Sequence, residues 1–197
     1  MARRSGNKAP KKATTADNTL RIIGGEWRSR KLQFPDANGL RPTSGKIRET
    51  LFNWLGHKVL GANVLDMFAG SGALGFEALS RGAASVVMVE KDRKVAEQLK
   101  QNCQILQTTN AQVINADTIA WSLDAKQSFD LVFVDPPFAA DLAQRCLEIC
   151  QSSLVNLDGL VYLEIAKDQQ VDIPEEFEVL KDKSSSNVRY QLLVRVK

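Results

Sequence analysis

Asp135-Pro136-Pro137-Phe138 places an acid, two prolines and an aromatic directly after an apolar run. That run, Leu131 to Val134, has the unbroken apolar character of a strand buried on both faces. Proline has no N–H and a fixed φ, so the pair cannot continue a central strand. A parallel strand that ends here brings Asp135 and Phe138 to the carboxyl edge of a sheet, where open α/β folds bind ligands. On these four residues alone an ordinary turn reads the same way, and the rest of the chain must decide.

A second group lies upstream. Asp66-Met67-Phe68-Ala69-Gly70-Ser71-Gly72-Ala73-Leu74-Gly75 leaves a strand and enters a helix, with Gly-x-Gly-x-x-Gly at Gly70, Gly72 and Gly75. Glycines at these places let a ligand approach the backbone, and Glu90 ends the next strand, where an acid accepts hydrogen bonds from ribose hydroxyls. A dinucleotide would put its pyrophosphate at the helix N-terminus. Asp66 at that point would repel a pyrophosphate, but it suits the ammonium group of a methionine moiety. The pattern therefore favours S-adenosylmethionine over a nicotinamide dinucleotide, with Asp66, Phe68, Gly70, Ser71, Gly72 and Glu90 around it. Asp117 ends the third strand, where it either accepts from an adenine amino group or simply caps the next helix.

Other chemistries find less support. His57 is the only histidine, so a histidine-based metal site is excluded. Cys103, Cys146 and Cys150 fit no zinc or disulfide framework and read as small buried hydrophobes in a reducing compartment. A 5-methylcytosine mechanism needs a nucleophilic cysteine, and none stands at a strand end beside the Asp-Pro-Pro loop.

The elements that must position these residues alternate between strand and helix. Strands are expected at Val64–Phe68, Ser85–Glu90, Ala111–Asn115, Phe129–Asp135 and Leu160–Ile165. Helices are expected at Ala73–Ser80, Asp92–Leu106, Thr118–Leu123 and Ala140–Leu154. Phe177–Lys181 and Val188–Val196 read as a closing antiparallel pair. Such alternation means βαβ units in a mostly parallel, doubly wound α/β sheet. Ahead of it, Leu20–Gly24 and Arg30–Phe34 form a hairpin that carries Arg21, Arg28, Arg30 and Lys31. A helix capped by Thr43 or Ser44 follows, with Ile47, Leu51, Trp54 and Leu55 on one face. Arg41, Lys46 and Arg48 gather near its start, against the preference of the helix dipole, and an anionic partner would explain their place.

Charge divides along the same line. Residues 1–48 hold 12 Lys and Arg against three acids, whereas the remainder holds 14 against 20. A basic element on a mildly acidic body points to a nucleic acid. The chain is expected to divide into a disordered basic tail (1–18), a nucleic-acid-facing hairpin and helix (19–61), which the resemblance below makes RNA-facing, and a cofactor-binding domain (62–197), which the same resemblance makes catalytic. No apolar run is long enough to span a membrane, and the basic N-terminus precedes no apolar signal stretch. A cytoplasmic monomer is the expectation.

The arrangement of Asp66-Met67-Phe68-Ala69-Gly70-Ser71-Gly72, Glu90, Asp117 and Asp135-Pro136-Pro137-Phe138 resembles the class I S-adenosylmethionine-dependent methyltransferases. Arg21-Ile22-Ile23-Gly24-Gly25, Trp27-Arg28, Leu40-Arg41-Pro42-Thr43 and Arg48-Glu49-Thr50-Leu51-Phe52-Asn53-Trp54-Leu55 resemble the bacterial RsmD family, from about Leu20 to the C-terminus. The resemblance implies a Rossmann-like, seven-stranded, mostly parallel sheet with helices on both faces. It implies methylation of a guanine N2 amine in 16S ribosomal RNA, with the RNA or a small-subunit assembly intermediate as partner and no metal. Ser29 stands where the family usually has glycine, and Gly45-Lys46 where Asp-Arg is expected.

The residues suggest a mechanism. A sulfonium methyl is already electrophilic, whereas the lone pair of an exocyclic amine is delocalised into its ring. The Asp135 carboxylate and the Pro136 carbonyl can accept the amine N–H groups and aim the lone pair, the stiff Pro-Pro pair keeps that geometry, and Phe138 can stack on a flipped base. The same signature fits an amino-methyltransferase acting on DNA adenine or a protein glutamine. A non-enzymatic RNA-binding module on the same fold is the remaining alternative.

Overall fold

The computed structural model describes residues 18–36, 43–137 and 142–197. The expectations for the tail up to residue 17, for Arg41 and for Phe138 lie outside the described residues.

A two-stranded antiparallel hairpin comes first, β1 (Thr19–Arg21) against β2 (Lys31–Gln33), with Leu20 paired to Leu32. It is shorter than the sequence pattern suggests, because the chain between the strands turns away to dock on the following domain. Gly25 adopts φ +76° there, and a Cβ on it would run into the Ser80 carbonyl, so the close approach requires glycine. Helix α1 (Gly45–Leu55) follows, capped by the Ser44 hydroxyl, which accepts from the Ile47 N–H at 3.3 Å. Ile47, Leu51, Phe52 and Leu55 are its buried face, and Trp54 stacks on Tyr190 at 5.3 Å between ring centroids.

The main sheet contains β3 (Asn63–Asp66), β4 (Ser85–Glu90), β5 (Ala111–Asn115), β6 (Phe129–Val134), β7 (Val155–Ala166), β8 (Phe177–Ser185) and β9 (Val188–Arg195). Its order is β5-β4-β3-β6-β7-β9-β8, parallel from β5 to β7, with β9 antiparallel to both neighbours. Helices α2 (Ala73–Ser80), α3 (Arg93–Leu106), α4 (Thr118–Asp124) and α5 (Leu142–Ile149) connect the parallel strands. The strand order reverses direction between β3 and β6, which leaves a crevice beyond their carboxyl ends.

Alternate residues of the central strands feed two cores. Val64, Phe133, Tyr162 and Tyr190 face the hairpin and the helices α1, α2 and α3. Leu65, Val132, Val134, Val161 and Leu163 face α4 and α5. Helices thus cover both faces. The hairpin and α1 share the first core with the sheet instead of building one of their own.

Candidate active site

Three carboxylates meet at the carboxyl edge of adjacent strands. Asp66 ends β3, Asp135 follows β6, and Glu164 lies in β7. The register Asp66 to Phe133 and Val134 to Leu163 brings them along one edge, with Asp135 beside Glu164. All three point to the face shared with Phe133 and Tyr162, since side chains alternate along a strand. None of the three forms an ion pair among the described residues.

Each is held by neutral donors. Asp66 is buried and accepts from the Gly75 N–H at 3.1 Å. That N–H lies in the first turn of α2, whose cap residue Gly72 has no side chain, so Asp66 caps the helix from outside. Burial pushes Asp66 up to about 7; the Gly75 and Phe68 backbone N–H groups oppose the shift and Glu90 adds to it. Asp135 is half-buried, and the Thr43 hydroxyl donates to its Oδ2 at 2.9 Å. Burial, and after it the Glu164 carboxyl, push Asp135 up to about 8, against the Thr43 hydrogen bond. Glu164 is buried and accepts from the Tyr162 hydroxyl at 2.6 Å. Burial raises it as well, with the Tyr162 hydrogen bond opposing.

The glycine loop is organised by Glu90. Its Oε2 accepts from the Gly70 N–H at 2.9 Å and its Oε1 from the Asp92 N–H at 2.7 Å. Each oxygen retains a second acceptor lobe for a ribose hydroxyl. The reason for the later glycines differs from the expectation. Gly72 has φ +79°, and a Cβ on it would run into the Phe76 ring, while one on Gly75 would sit 2.9 Å from the Met88 sulfur. The Gly72 N–H is used within the turn, donating to the Ala69 carbonyl at 2.7 Å. Gly72 and Gly75 thus serve helix–strand packing, and Gly70 alone faces the Glu90 end of the loop. Phe68 is half-buried and Ser71 buried beside it.

Asp117 caps α4, accepting from the N–H groups of Ile119 at 3.1 Å and Ala120 at 3.3 Å. Lys91 donates to its other oxygen at 3.2 Å. These contacts hold its carboxyl below the ordinary range, the Ala120 bond first among them. Pro136 is buried, and Pro137 is exposed.

Arg21, Arg28, Arg30 and Lys31 are exposed on the hairpin, as a phosphate-binding surface requires. Arg48 is not. Only 5% of it is exposed; it donates to the Arg21 carbonyl at 3.0 Å and pairs with Glu77 at 3.5 Å. Its assignment to RNA is corrected: the positive charge near the start of α1 is answered by Glu77 of α2. Glu77 also accepts from Ile23 N–H at 2.9 Å, Gly24 N–H at 2.8 Å and Arg81 Nε at 2.8 Å, clamping the hairpin to the sheet domain.

Thr43, Tyr162 and Glu164 also stand at the carboxyl edge and Glu77 braces the hairpin, and none of the four is among the candidate site residues of the sequence motifs. The visible signal was an acid within an apolar run, in Leu160-Val161-Tyr162-Leu163-Glu164-Ile165 and in Ala73-Leu74-Gly75-Phe76-Glu77-Ala78-Leu79. A buried acid of this kind needs a partner.

The donor set fits a cationic ligand with a ribose: unpaired acids at the crevice, and Glu90 beside the loop. Among the described residues, no group of three or more His, Cys, Asp or Glu could hold a metal ion, and no helix is long and apolar enough to cross a membrane.

Comparison with known proteins agrees with this chemistry. The family described as "Conserved hypothetical protein 95" matches residues 20–194. The chain is 42% identical over 182 residues to the ribosomal RNA small subunit methyltransferase D of Haemophilus influenzae, covering 90% of this chain and 94% of that one. It is 41% identical over 178 residues to the protein of the same name from Escherichia coli K12, covering 89% and 90%. A solved structure, the putative methyltransferase yhhF from Escherichia coli, superposes with a TM-score of 0.85 at 40% identity, covering 90% of this chain and 98% of that one.

Proposed function

Because the chain belongs to the conserved hypothetical protein 95 family, the RsmD family of methyltransferases, we propose that it methylates the exocyclic N2 amine of one guanine in 16S ribosomal RNA. The coarser activity, S-adenosylmethionine-dependent methylation of ribosomal RNA, is that of the family. The observation that carries the finer reading is the crevice edge, where Asp135 and the Pro136 carbonyl stand next to acids that lack a cation.

S-adenosylmethionine supplies a methyl group on a sulfonium: the N–C bond forms as the S–C bond breaks, and the electron pair of the broken bond stays on sulfur. The residues of this chain do the rest. Asp66 faces the ammonium end, and its carboxyl, ionising near neutrality, gains a partner that burial alone denies it. Glu90 holds the glycine loop and receives the ribose hydroxyls. Asp135 and the Pro136 carbonyl accept the two amine N–H groups, which directs the nitrogen lone pair at the methyl. The amine proton passes to the Asp135 carboxylate as the new bond forms. Phe138 stacks on the flipped base, and Arg21, Arg28, Arg30, Lys31 and Arg41 hold the RNA backbone. Asp117 supports the adenine side through the α4 cap. The proposal takes the protein as a cytoplasmic monomer whose substrate is 16S ribosomal RNA or a small-subunit assembly intermediate. It requires no metal, since the methyl is activated by its own sulfonium.

The test is incubation of the purified protein with small ribosomal subunits and methyl-labelled S-adenosylmethionine, then digestion and mass spectrometry. Labelled N2-methylguanosine is the expected product. Label on another nucleoside would overturn the N2 assignment. Label found only on DNA adenine or on a protein glutamine would overturn the RNA assignment.

A further inference from the structure

Glu164 and Tyr162 have no role in the reaction so far, yet they stand against its central residue. Tyr162 is fully buried and Glu164 is 5% exposed, both on β7. The Tyr162 hydroxyl donates to Glu164 Oε2 at 2.6 Å, and the β6–β7 register puts Glu164 beside Asp135. From the other side, the Thr43 hydroxyl donates to Asp135 Oδ2. Across the antiparallel ladder Tyr190 of β9 pairs with Glu164, and Asp66 of β3 is the further acid near Asp135. Thr43, Asp66, Tyr162 and Tyr190 thus bring no positive charge to the pair.

Two adjacent carboxyls without a cation do not both ionise; they retain one proton between them. Burial and the neighbouring Glu164 charge both raise Asp135, while the Tyr162 hydroxyl donates to Glu164 and favours its ionised form, so in the ligand-free protein the shared proton rests on Asp135. We propose that Glu164, oriented by Tyr162, is a positioning residue that takes over the shared proton when the amine N–H groups donate to Asp135, and thereby presents Asp135 as a carboxylate towards the amine.

This rests on the methyl-transfer reading, which it deepens. Before transfer the pair carries one negative charge, matched to a cationic ligand. During transfer the amine nitrogen forms its bond to carbon and loses one proton, which Asp135 accepts. The pair then holds two protons and no charge, at the stage where the sulfur has become a neutral thioether. Charge in the crevice is balanced before and after the reaction, and no other oxidant, reductant or base takes part. Return of one proton to solvent resets the pair.

The experiment is a carboxyl-carbon NMR titration of the ligand-free, full-length protein, comparing wild type with Glu164→Gln and Tyr162→Phe, joined to a single-turnover pH profile. In wild type the Asp135 resonance is expected to move in two separated steps, one for each proton of the pair. Glu164→Gln should collapse these into one step, lower than the upper wild-type step by about one pH unit or more. It should also remove the alkaline limb of the rate profile. Tyr162→Phe deletes the donor to ionised Glu164 and should move the upper step higher, which supplies a second test if Glu164→Gln fails to fold. A single Asp135 step that superimposes in wild type and Glu164→Gln would overturn the proposal, as would an upper step unmoved by Tyr162→Phe. An inactive wild-type protein would instead strike the methyl-transfer reading, and the titration would still decide the proton sharing.

Discussion

Replacing Glu77 with glutamine removes one charge and keeps the shape of the residue that clamps the hairpin. Glu77 is fully buried and accepts from Ile23 N–H, Gly24 N–H and Arg81 Nε at 2.8–2.9 Å, with Arg48 at 3.5 Å. The amide leaves the guanidinium of Arg48, 5% exposed and already lowered by burial, without a counter-charge. Removing one member of a buried ion pair costs about 3–5 kcal/mol. The amide nitrogen also replaces one acceptor oxygen, so a backbone donor of the hairpin loses its partner at roughly 1–3 kcal/mol. These terms overlap, and a net loss of about 4 kcal/mol lowers the thermal midpoint of a chain this long by roughly 10 °C. Urea unfolding measures the loss, and hydrogen exchange locates it, with the Ile23 and Gly24 amides losing protection first. The Asp182–Arg189 pair joining β8 and β9 is the control, since both side chains are more than a third exposed. Its disruption is expected to cost about 0–1 kcal/mol. A Glu77→Gln loss no larger than that, with both amides still protected, would refute the reasoning.

Asp66 makes ligand-free stability depend on pH. Its folded value is about 7, whereas the unfolded carboxyl titrates near 3.9, so the folded state holds the extra proton. That contribution is complete below about pH 4 and is lost as pH rises through about 7. Thermal melts between pH 5 and 7.5 should therefore fall more steeply in wild type than in Asp66→Asn, and parallel curves would contradict the burial argument. Ser29 adopts φ +70°, a conformation costly for a side chain that bears Cβ. Ser29→Gly is expected to raise stability by about 0.5–1 kcal/mol in urea, and a lowered midpoint would show that the serine side chain makes a compensating contact. Replacing Arg28, Arg30 and Lys31 together with alanine should make the logarithmic salt dependence of RNA binding shallower by roughly 2–3. An unchanged slope would remove the hairpin from the RNA interface.

Much of this architecture could be read from residue order, for stated reasons. The α2, β4 and β5 boundaries coincide with expectation because each is a short apolar segment bounded by glycine, an acid or polar turns. Where the reading fell short, tertiary context explains it. β7 begins at Val155, not Leu160, because Asn156-Leu157-Asp158-Gly159 reads as a turn; Asp158 takes φ +61° inside the strand, and the pairing with β6 shifts register there. β8 continues to Ser185 through Lys181-Asp182-Lys183-Ser184, since an edge strand exposed along its length needs no apolar alternation. The expected helix to Leu154 ends as α-helix at Ile149 and finishes in a wider π turn over Cys150–Leu154, which apolar spacing does not distinguish.

The site divides in the same way. Asp66, Glu90 and Asp135 were legible because strand ends and glycine loops place them without reference to distant residues. Glu164 and Thr43 join Asp135 only through β7 and the start of α1, and no local pattern expresses that meeting. Arg48 was misread for a related reason: its partner lies in α2, and a charge alone does not say whether its counter-charge is RNA or protein.

Nucleoside mapping of 16S ribosomal RNA by mass spectrometry, in cells lacking this gene and complemented with wild type or Asp135→Ala, tests the central claim most directly. The account predicts that one N2-methylguanosine disappears with the gene and returns with wild type. It should not return with Asp135→Ala, although the purified variant still binds S-adenosylmethionine. Full restoration by Asp135→Ala would contradict the placing of the amine at this edge.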